Sequence, residues 1–256
     1  MRRAFRNRYL GLAGVLATLF VLVGCASGSG HTDDPILVSA AASLTDVFSA
    51  MEDGFEAANP GADVVLNFGG SSMLREQILA GAPADVFASA NEANMALIVD
   101  ADTVAREPTI FATNLLAIAV PAGNPGGVSG LVDFADESRL VGLCAEGVPC
   151  GDFGRQVLHN AGVVPSIDTE EPNVRALLTK VEAGELDAGI VYVTDVVSAG
   201  STVDGIDIPG KENVVARYPV AALTDAPNPD GAAAFVAFVL SDAGRAVLAE
   251  YGFGTP

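Results

Sequence analysis

Short apolar runs alternate with longer segments of helical periodicity over most of this chain. From residue 35 onward, a short apolar run is repeatedly followed by a stretch in which apolar residues recur every three or four positions. The short runs are typical of buried strands, and the longer stretches are typical of amphipathic helices. We predict strands at residues 36–40, 64–68, 86–88, 115–120, 140–143, 188–193 and 218–223.

The predicted helices fill the intervals between these strands. Turn-forming residues such as Gly61 and Gly184 lie just past a periodic stretch, as is usual where a helix ends. The helical stretches cover residues 43–58, 73–79, 91–99, 131–135, 152–160, 174–183, 231–240 and 243–251. This alternation predicts an α/β protein in which mainly parallel sheets are flanked by helices. The sequence has no periodic repeat, and it divides into two similar α/β halves.

The first 25 residues have the composition of an export signal. Four arginines precede an apolar run over residues 9–23, and a glycine and Cys25 follow it. Residues 22–25 resemble the bacterial lipobox, in which the chain is cut before the cysteine and that cysteine carries the lipid. We expect residues 1–24 to be removed and residues 25–34 to form a lipidated tether at the outer face of the cytoplasmic membrane. The alternative is an uncleaved single-span anchor.

The charge of the chain argues against nucleic acid as a partner. The formal net charge is −19, and loss of the four leader arginines makes it −23, with nine of the 13 Lys and Arg residues left. Phosphate contacts require such basic residues. The chain has no Trp, four Tyr and two His, so metal ligands and general bases are also scarce. This composition is poor for a hydrolase, and we expect no enzymatic activity.

Two cysteines remain after the lipidated one. In an oxidising compartment, Cys144 and Cys150 are expected to form a disulfide that closes a short loop. A lone pair of cysteines is too few for a zinc site. The alternative is an exported thiol enzyme in which His159 serves as the base for Cys150.

Small or polar residues stand at four of the strand-to-helix junctions. The first turn of a helix has unpaired N–H groups and a positive dipole end, and ligands of open α/β sheets bind at the carboxyl ends of strands. If these junctions face one cleft, they form an anion site that needs no Lys or Arg. Alternatively, these residues have structural roles. Ser43 and Ser71 are then ordinary N-caps, Gly69 and Gly70 form a tight turn, and Tyr192 is a core residue. The junctions are residues 41–43, 69–72, 148–151 and 172–174.

Five segments together resemble the periplasmic molybdate-binding protein family. They are AAASLT at 40–45, FGGSS at 68–72, GAPADVF at 81–87, NVR at 173–175 and GIVYVTD at 189–195, and YPV at 218–220 and YGF at 251–253 also match. The resemblance covers residues 36–256 in order. It implies a two-lobed periplasmic-binding-protein fold of type II, with the ligand in the cleft between the lobes. Lobe I is expected to comprise residues 35–112 and 221–256, and lobe II residues 113–220.

The resemblance also implies a ligand and a set of binding residues. The ligand is molybdate, with tungstate as a second candidate, and molybdenum is bound only as this oxyanion, without a cofactor. The family pattern assigns the hydroxyl and N–H of Ser43 and Ser71, the N–H of Cys150 and Val174, and the hydroxyl of Tyr192. The family usually has a small residue such as Ala where Cys150 stands, and Gly69-Gly70-Ser71-Ser72 leaves the choice between Ser71 and Ser72 open.

The resemblance further implies a role in transport. The chain would act as a monomeric receptor that delivers its ligand to the permease and ATPase of an ABC importer. A receptor for sulfate or another tetrahedral oxyanion and a surface lipoprotein without a ligand are the alternatives.

Overall fold

The computed structural model describes residues 34–256. The predicted export segment 1–24, the lipidation site Cys25 and all of the predicted tether except Asp34 lie outside the described residues.

The described strands form one continuous mixed sheet in the order β2-β1-β3-β9-β4-β7-β5-β6, and β8 pairs with β4. All seven predicted strands are present, with ends shifted by a few residues. The strands are β1 (Ile36–Ala41), β2 (Val64–Gly69), β3 (Val86–Ala88), β4 (Thr109–Pro121), β5 (Val141–Cys144), β6 (Thr169–Glu171), β7 (Ala188–Tyr192), β8 (Val203–Asp207) and β9 (Val215–Ala222).

Helices fill most of the intervals between the strands, and each of them except α6 follows a predicted helical stretch. They are α1 (Thr45–Ala58), α2 (Ser71–Leu79), α3 (Glu92–Asp100), α4 (Pro149–Asn160), α5 (Val174–Glu182), α6 (Val193–Ala199), α7 (Pro229–Val239) and α8 (Asp242–Glu250). Short 3-10 turns occur at Ala42–Leu44, Leu131–Ala135 and Gly200–Thr202.

The sheet has two halves that are joined by long antiparallel strands. In the first half β1 pairs in parallel with β2 and β3, and in the second half β5 pairs in parallel with β6 and β7. Strand β4 joins them: its residues 109–115 pair with β9, and its residues 116–119 pair with β7. This is the predicted two-lobed, type II periplasmic-binding-protein arrangement. The residue bounds of the lobes, with crossings near Thr113 and Val220, stay a prediction.

Strands β6 and β8 were not predicted, because both are too polar to form an apolar run. Strand β6 reads Thr-Glu-Glu, and only the first residue of β8 is buried. Each lies beside a single neighbour in the sheet, where one face of the strand stays solvated. Helix α4 begins at Pro149 rather than at the predicted Asp152, because proline is well accommodated in the first turn of a helix.

Aromatic residues from both ends of the chain pack in the core of the first half. Phe48 and Phe55 of α1 lie against Phe235 of α7, with ring centroids 6.0 Å and 5.4 Å apart in edge-to-face geometry. The C-terminal helices therefore complete the core of the lobe that begins the chain. Among residues 34–256 no single helix is long and apolar enough to cross a membrane; only α7 and α8 together reach that length and hydropathy, and they are bent by 60° at their junction.

Candidate functional site

A small cavity lies where the carboxyl ends of strands from both halves of the sheet meet. Its volume is about 10 Å³, close to the minimum that accommodates one water molecule. All five predicted site residues line it, and they come from both halves. The lining residues are Ala41, Ala42, Ser43, Gly69, Gly70, Ser71, Ala90, Val148, Pro149, Cys150, Asn173, Val174 and Tyr192.

The hydroxyl oxygen of Ser71 already accepts one hydrogen bond within the protein. The N–H of Ala90 donates to Ser71 Oγ at 3.0 Å. A serine hydroxyl has one hydrogen, and because its oxygen already accepts here, that hydrogen remains for another partner. Ser71 is buried and lines the cavity, whereas Ser72 is only half-buried and does not. The geometry therefore favours Ser71 over Ser72.

Ser43 has a similar arrangement with a different partner. Its Oγ lies 3.1 Å from the hydroxyl oxygen of Tyr218 on β9, and either group can donate. When Tyr218 donates, the hydrogen of Ser43 is available to a ligand. The alternative in which Ser43 is an ordinary N-cap is wrong, because a 3-10 turn precedes α1 and neither cap residue makes a side-chain hydrogen bond. The side chain of Ser71 does not cap α2 either.

Tyr192 ends β7 with its hydroxyl unpaired. The side chain is buried, and its hydroxyl is one of four buried side-chain polar atoms without a hydrogen-bond partner among the described residues. Burial, together with the nearby Tyr218 and Asp195, raises the pKa of Tyr192, so the phenol keeps its proton. An unpaired buried hydroxyl costs about 1–3 kcal/mol. A buried donor at a cavity wall is the clearest sign of a ligand in this structure.

Backbone N–H groups reach the cavity at the starts of α4 and α5. Cys150 lies in the first turn of α4, and Val174 is the first residue of α5, where N–H groups have no partner within the helix. The side chain of Asn173 caps α5 by accepting from the N–H of Ala176 at 2.9 Å. That bond fixes the first turn and leaves the N–H of Val174 outside the cap.

A disulfide joins the end of β5 to the start of α4. Cys144 and Cys150 are bonded through sulfur, with their Cα atoms 5.6 Å apart. The bond closes the loop that carries Val148 and Pro149, both of which line the cavity. With its sulfur in this bond, Cys150 has no free thiol for the alternative in which His159 acts as its base.

The two halves approach closely at the cavity. A Cβ atom on Gly70 would lie 2.4 Å from the carbonyl oxygen of Pro172 in the other half, so only glycine fits there without movement of the backbone. The amide of Asn94 on α3 also donates across the cleft to the carbonyl oxygen of Gly147 at 3.4 Å. Gly70 therefore does more than form a tight turn, because its lack of a side chain permits the close approach to Pro172.

The cavity wall is electrically neutral. None of its lining residues carries a charged side chain. A charged network lies beside the wall, and in it Asp195, fully buried, accepts from the N–H of Tyr192 at 3.0 Å. Burial raises the pKa of Asp195 to about 7, although the neighbouring Arg175 opposes the shift. Among residues 34–256 no group of His, Cys, Asp and Glu could hold a metal ion.

Sequence reasoning missed two partners of the site serines. Ala90 follows β3 and has no polar side chain, so nothing in the sequence marks its N–H as a partner of Ser71. Tyr218 was noted only within the Tyr-Pro-Val match, and its 175-residue separation from Ser43 hides their contact.

Comparison with known proteins places this geometry in a family. Residues 36–254 match the family model described as bacterial extracellular solute-binding protein. The molybdate-binding protein ModA of Mycobacterium tuberculosis H37Rv is 38% identical over 260 residues, covering 97% of this chain and 100% of that protein.

Two solved structures share the fold. The periplasmic molybdate-binding protein of Azotobacter vinelandii has a TM-score of 0.75 at 19% identity, over 86% of this chain and 99% of its own. The sulfate-binding protein SubI of M. tuberculosis has a TM-score of 0.76 at 18% identity, over 86% of both chains. The chain therefore belongs to the family of bacterial extracellular solute-binding proteins.

Proposed function

We propose that this protein captures molybdate in the cavity between its two lobes and delivers it to the permease of an ABC importer. The observation that carries the proposal is the buried, unpaired hydroxyl of Tyr192 in a small neutral cavity that also receives Ser43 and Ser71. The predicted ligand groups are the hydroxyls of these three residues and the N–H groups of Ser43, Ser71, Cys150 and Val174.

The chemistry of this wall suits a fully deprotonated oxyanion. Every group assigned to the ligand donates a hydrogen bond, and hydrogen bonds to a charged partner are stronger than neutral ones. Phosphate near neutral pH retains a proton that requires an acceptor, and no carboxylate lines the cavity. Molybdate, tungstate and sulfate carry no such proton. The wall therefore selects against phosphate by an unmatched hydrogen bond.

The choice between molybdate and sulfate does not follow from the fold. The sulfate-binding SubI and the Azotobacter molybdate-binding protein are equally good structural matches. The relative at 38% identity over nearly the whole chain is named for molybdate, and this supports molybdate here. Tungstate has the same shape and charge, and we include it as a second ligand. Exclusion of the smaller sulfate would depend on the cavity radius.

The arrangement supports binding rather than catalysis. Of the side chains that line the cavity none is a general base, and the sulfur of Cys150 is held in a disulfide. The net charge of about −23 after export slows an approaching anion rather than attracting it, and salt weakens that effect. Affinity must therefore come from the local hydrogen-bond donors of the cavity wall.

Calorimetric titration with molybdate, tungstate, sulfate and phosphate tests the proposal. We expect molybdate and tungstate to bind most tightly, sulfate more weakly and phosphate not measurably. Ser43→Ala should weaken molybdate binding by about 1–3 kcal/mol, as expected for a lost hydrogen bond to a charged group. Tighter binding of sulfate than of molybdate would reassign the ligand, and an unchanged affinity in Ser43→Ala would remove Ser43 from the site.

We also propose that the mature protein is anchored by a lipid on Cys25 at the outer face of the cytoplasmic membrane, as a monomer. The lipobox-like residues 22–25 and membership of an extracellular family support this location. Metabolic labelling with a fatty acid should mark the wild type and leave Cys25→Ala unlabelled. Equal labelling of both proteins contradicts the lipid assignment.

A further inference from the structure

An ion network lies directly behind the cavity and joins the two halves of the molecule. Its three charged members follow three predicted ligand residues in the sequence. Asp46 stands three positions after Ser43, Arg175 directly after Val174, and Asp195 three positions after Tyr192. Three of the five segments that present a donor to the cavity therefore also contribute a charge to the network.

Arg175 is the centre of this network. Its guanidinium forms an ion pair with Asp46 on α1 of the first half, and its Nε lies 3.4 Å from Oδ1 of Asp195 on α6 of the second half. Ser198 of α6 accepts from Arg175 at 3.0 Å and donates to Asp46. One side chain of the second half thus connects a buried carboxylate of its own half to a carboxylate across the cleft.

The network also reaches the ligand residues. The second carboxylate oxygen of Asp195 accepts from the N–H of Tyr192 at 3.0 Å. Asp46, Arg175 and Ser198 line a neighbouring cavity of about 410 Å³, and Ser43 lines both cavities. Arg175 itself does not line the anion cavity. Its effect on a ligand must therefore act through the residues that do.

Burial distinguishes this network from an ordinary surface ion pair. The side chains of Asp46 and Arg175 are 39% and 26% exposed, whereas that of Asp195 is 0% exposed. Exposed pairs contribute little to stability, but removal of the partner of a buried charge is strongly destabilising. Oδ1 of Asp195 has no hydrogen bond among the described residues, so Arg175 is the cation that compensates its charge.

We propose that Arg175 is a positioning residue for oxyanion capture, which with Asp46 latches the two lobes in the closed form. The proposal rests on the proposed function, because it assumes that the lobes close on an anion. The latch joins the segment of Ser43 to those of Val174 and Tyr192 only when the lobes meet. Loss of the latch should therefore speed the release of the anion without removing any of its direct contacts.

A double-mutant cycle with Asp46→Asn and Arg175→Gln tests this latch. We expect each single variant to bind molybdate at least fivefold more weakly by calorimetry, with most of the change in the dissociation rate measured by stopped-flow. The double variant should bind no more weakly than the weaker single variant, since both changes break the same pair between Asp46 and Arg175. Arg175→Lys should be intermediate, because a lysine reaches one carboxylate but cannot bridge two.

Arg139→Gln is the matched control. Arg139 is similarly buried, with 21% of its side chain exposed, and it pairs with Asp133, but it lies outside the cavity. The Arg139→Gln variant should bind molybdate with the affinity of the wild type. Arg175→Gln leaves the buried Asp195 without its cation and can fail to fold. Asp46→Asn changes only the more exposed end of the network, so we expect this variant to fold and to allow the affinity measurement.

Thermal unfolding without ligand separates a latch from a merely structural contact. We expect the Tm of ligand-free Asp46→Asn to match the wild type and its molybdate-induced rise in Tm to be smaller. A lowered ligand-free Tm with unchanged affinity overturns the latch, and so do additive losses in the double variant. If the wild type binds molybdate and every variant binds equally well, only the latch fails. If the wild type binds no oxyanion, the proposed function fails and the latch fails with it.

Discussion

At the residue scale, the site depends on which hydrogen-bonding capacity of each hydroxyl is already used. Ser71 accepts from Ala90, which leaves its hydrogen for the cavity, and the hydrogen of Ser43 is available when Tyr218 donates to it. The hydroxyl of Tyr192 makes no hydrogen bond among the described residues. Whether a hydroxyl can donate to a ligand thus depends on the neighbours of its side chain, and the residue type alone does not determine it.

Tyr192→Phe should separate binding from stability. The variant loses one hydrogen bond to a charged ligand, and we expect molybdate affinity to fall by about 1–3 kcal/mol. The free energy of unfolding without ligand should stay equal or rise, because the lost hydroxyl has no hydrogen-bond partner among residues 34–256. Calorimetry and urea unfolding measure the two quantities. Tyr251→Phe, outside the cavity, is the control, and a destabilised Tyr192→Phe with normal affinity contradicts this interpretation.

Asp195 should make stability depend on pH. Burial raises its pKa from 3.8 to about 7, so the folded state binds this proton more tightly than the unfolded state does. The associated stability is present at low pH and is lost as pH rises from about 4 to about 7. Relative to the wild type, Asp195→Asn should gain about 2–3 kcal/mol in unfolding free energy between pH 5 and pH 8.

Urea unfolding of both proteins at the two pH values measures this change. The constant offset between them reflects other lost contacts, so only the change with pH is informative. The exposed Asp225→Asn is the control and should follow the wild type. A difference that stays constant between pH 5 and pH 8 would show that Asp195 does not titrate in this range.

At the scale of elements, the start of α4 is held by the disulfide between Cys144 and Cys150. The bond closes the loop that delivers the N–H of Cys150 and the side chain of Val148 to the cavity. The cysteine pair and the export signal were sufficient to predict the bond from sequence. The family pattern assigned Cys150 to the ligand. The structure adds the link between the two roles, because one residue both closes the loop and lines the cavity.

Replacement of both cysteines by alanine should weaken ligand binding and stability together. We expect the free energy of unfolding to fall by about 2 kcal/mol, because a short loop is no longer closed in the unfolded chain. Molybdate affinity should fall about tenfold, since the loop must be ordered on binding. Treatment of the wild type with a reductant should reproduce the loss, and the alanine variant should not respond to it. Unchanged affinity would limit the disulfide to a stabilising role.

At the scale of the whole molecule, binding depends on how closely the lobes approach each other. Gly70 and the carbonyl oxygen of Pro172 come from different halves, and a Cβ atom at residue 70 would lie 2.4 Å from that oxygen. Long-range contacts of this kind convert two separate donor sets into one cavity. The closing contact is therefore as important to the proposed function as the donors themselves.

Gly70→Ala should hold the lobes apart. We expect molybdate affinity to fall at least tenfold, or about 1.4 kcal/mol, while the fold is retained. Small-angle scattering with saturating molybdate should show a larger radius of gyration than for the liganded wild type. Gly210→Ala, where an added Cβ meets nothing within 4 Å, is the control. Wild-type affinity in Gly70→Ala would show that ligand binding does not require the close approach of residue 70 to Pro172.

The sequence by itself determined the elements and the candidate donors of this protein. Periodicity is local, so it was sufficient to predict seven of the nine described strands, the four junctions that carry Ser43, Ser71, Cys150 and Val174, and the strand that ends near Tyr192. Strands β6 and β8 were not predicted, because a polar edge strand has no apolar run. The motifs along residues 36–256 were sufficient to predict the family.

Only the tertiary structure decided which of these groups meet. The convergence of the junctions, the preference for Ser71 over Ser72 and the contact of Ser43 with Tyr218 depend on pairings between distant strands. The ion network of Arg175 joins residues as many as 152 positions apart. Such contacts are set by sheet order and by the approach of the two lobes, and hydrophobic periodicity, which reports on neighbours along the chain, carries no information about either.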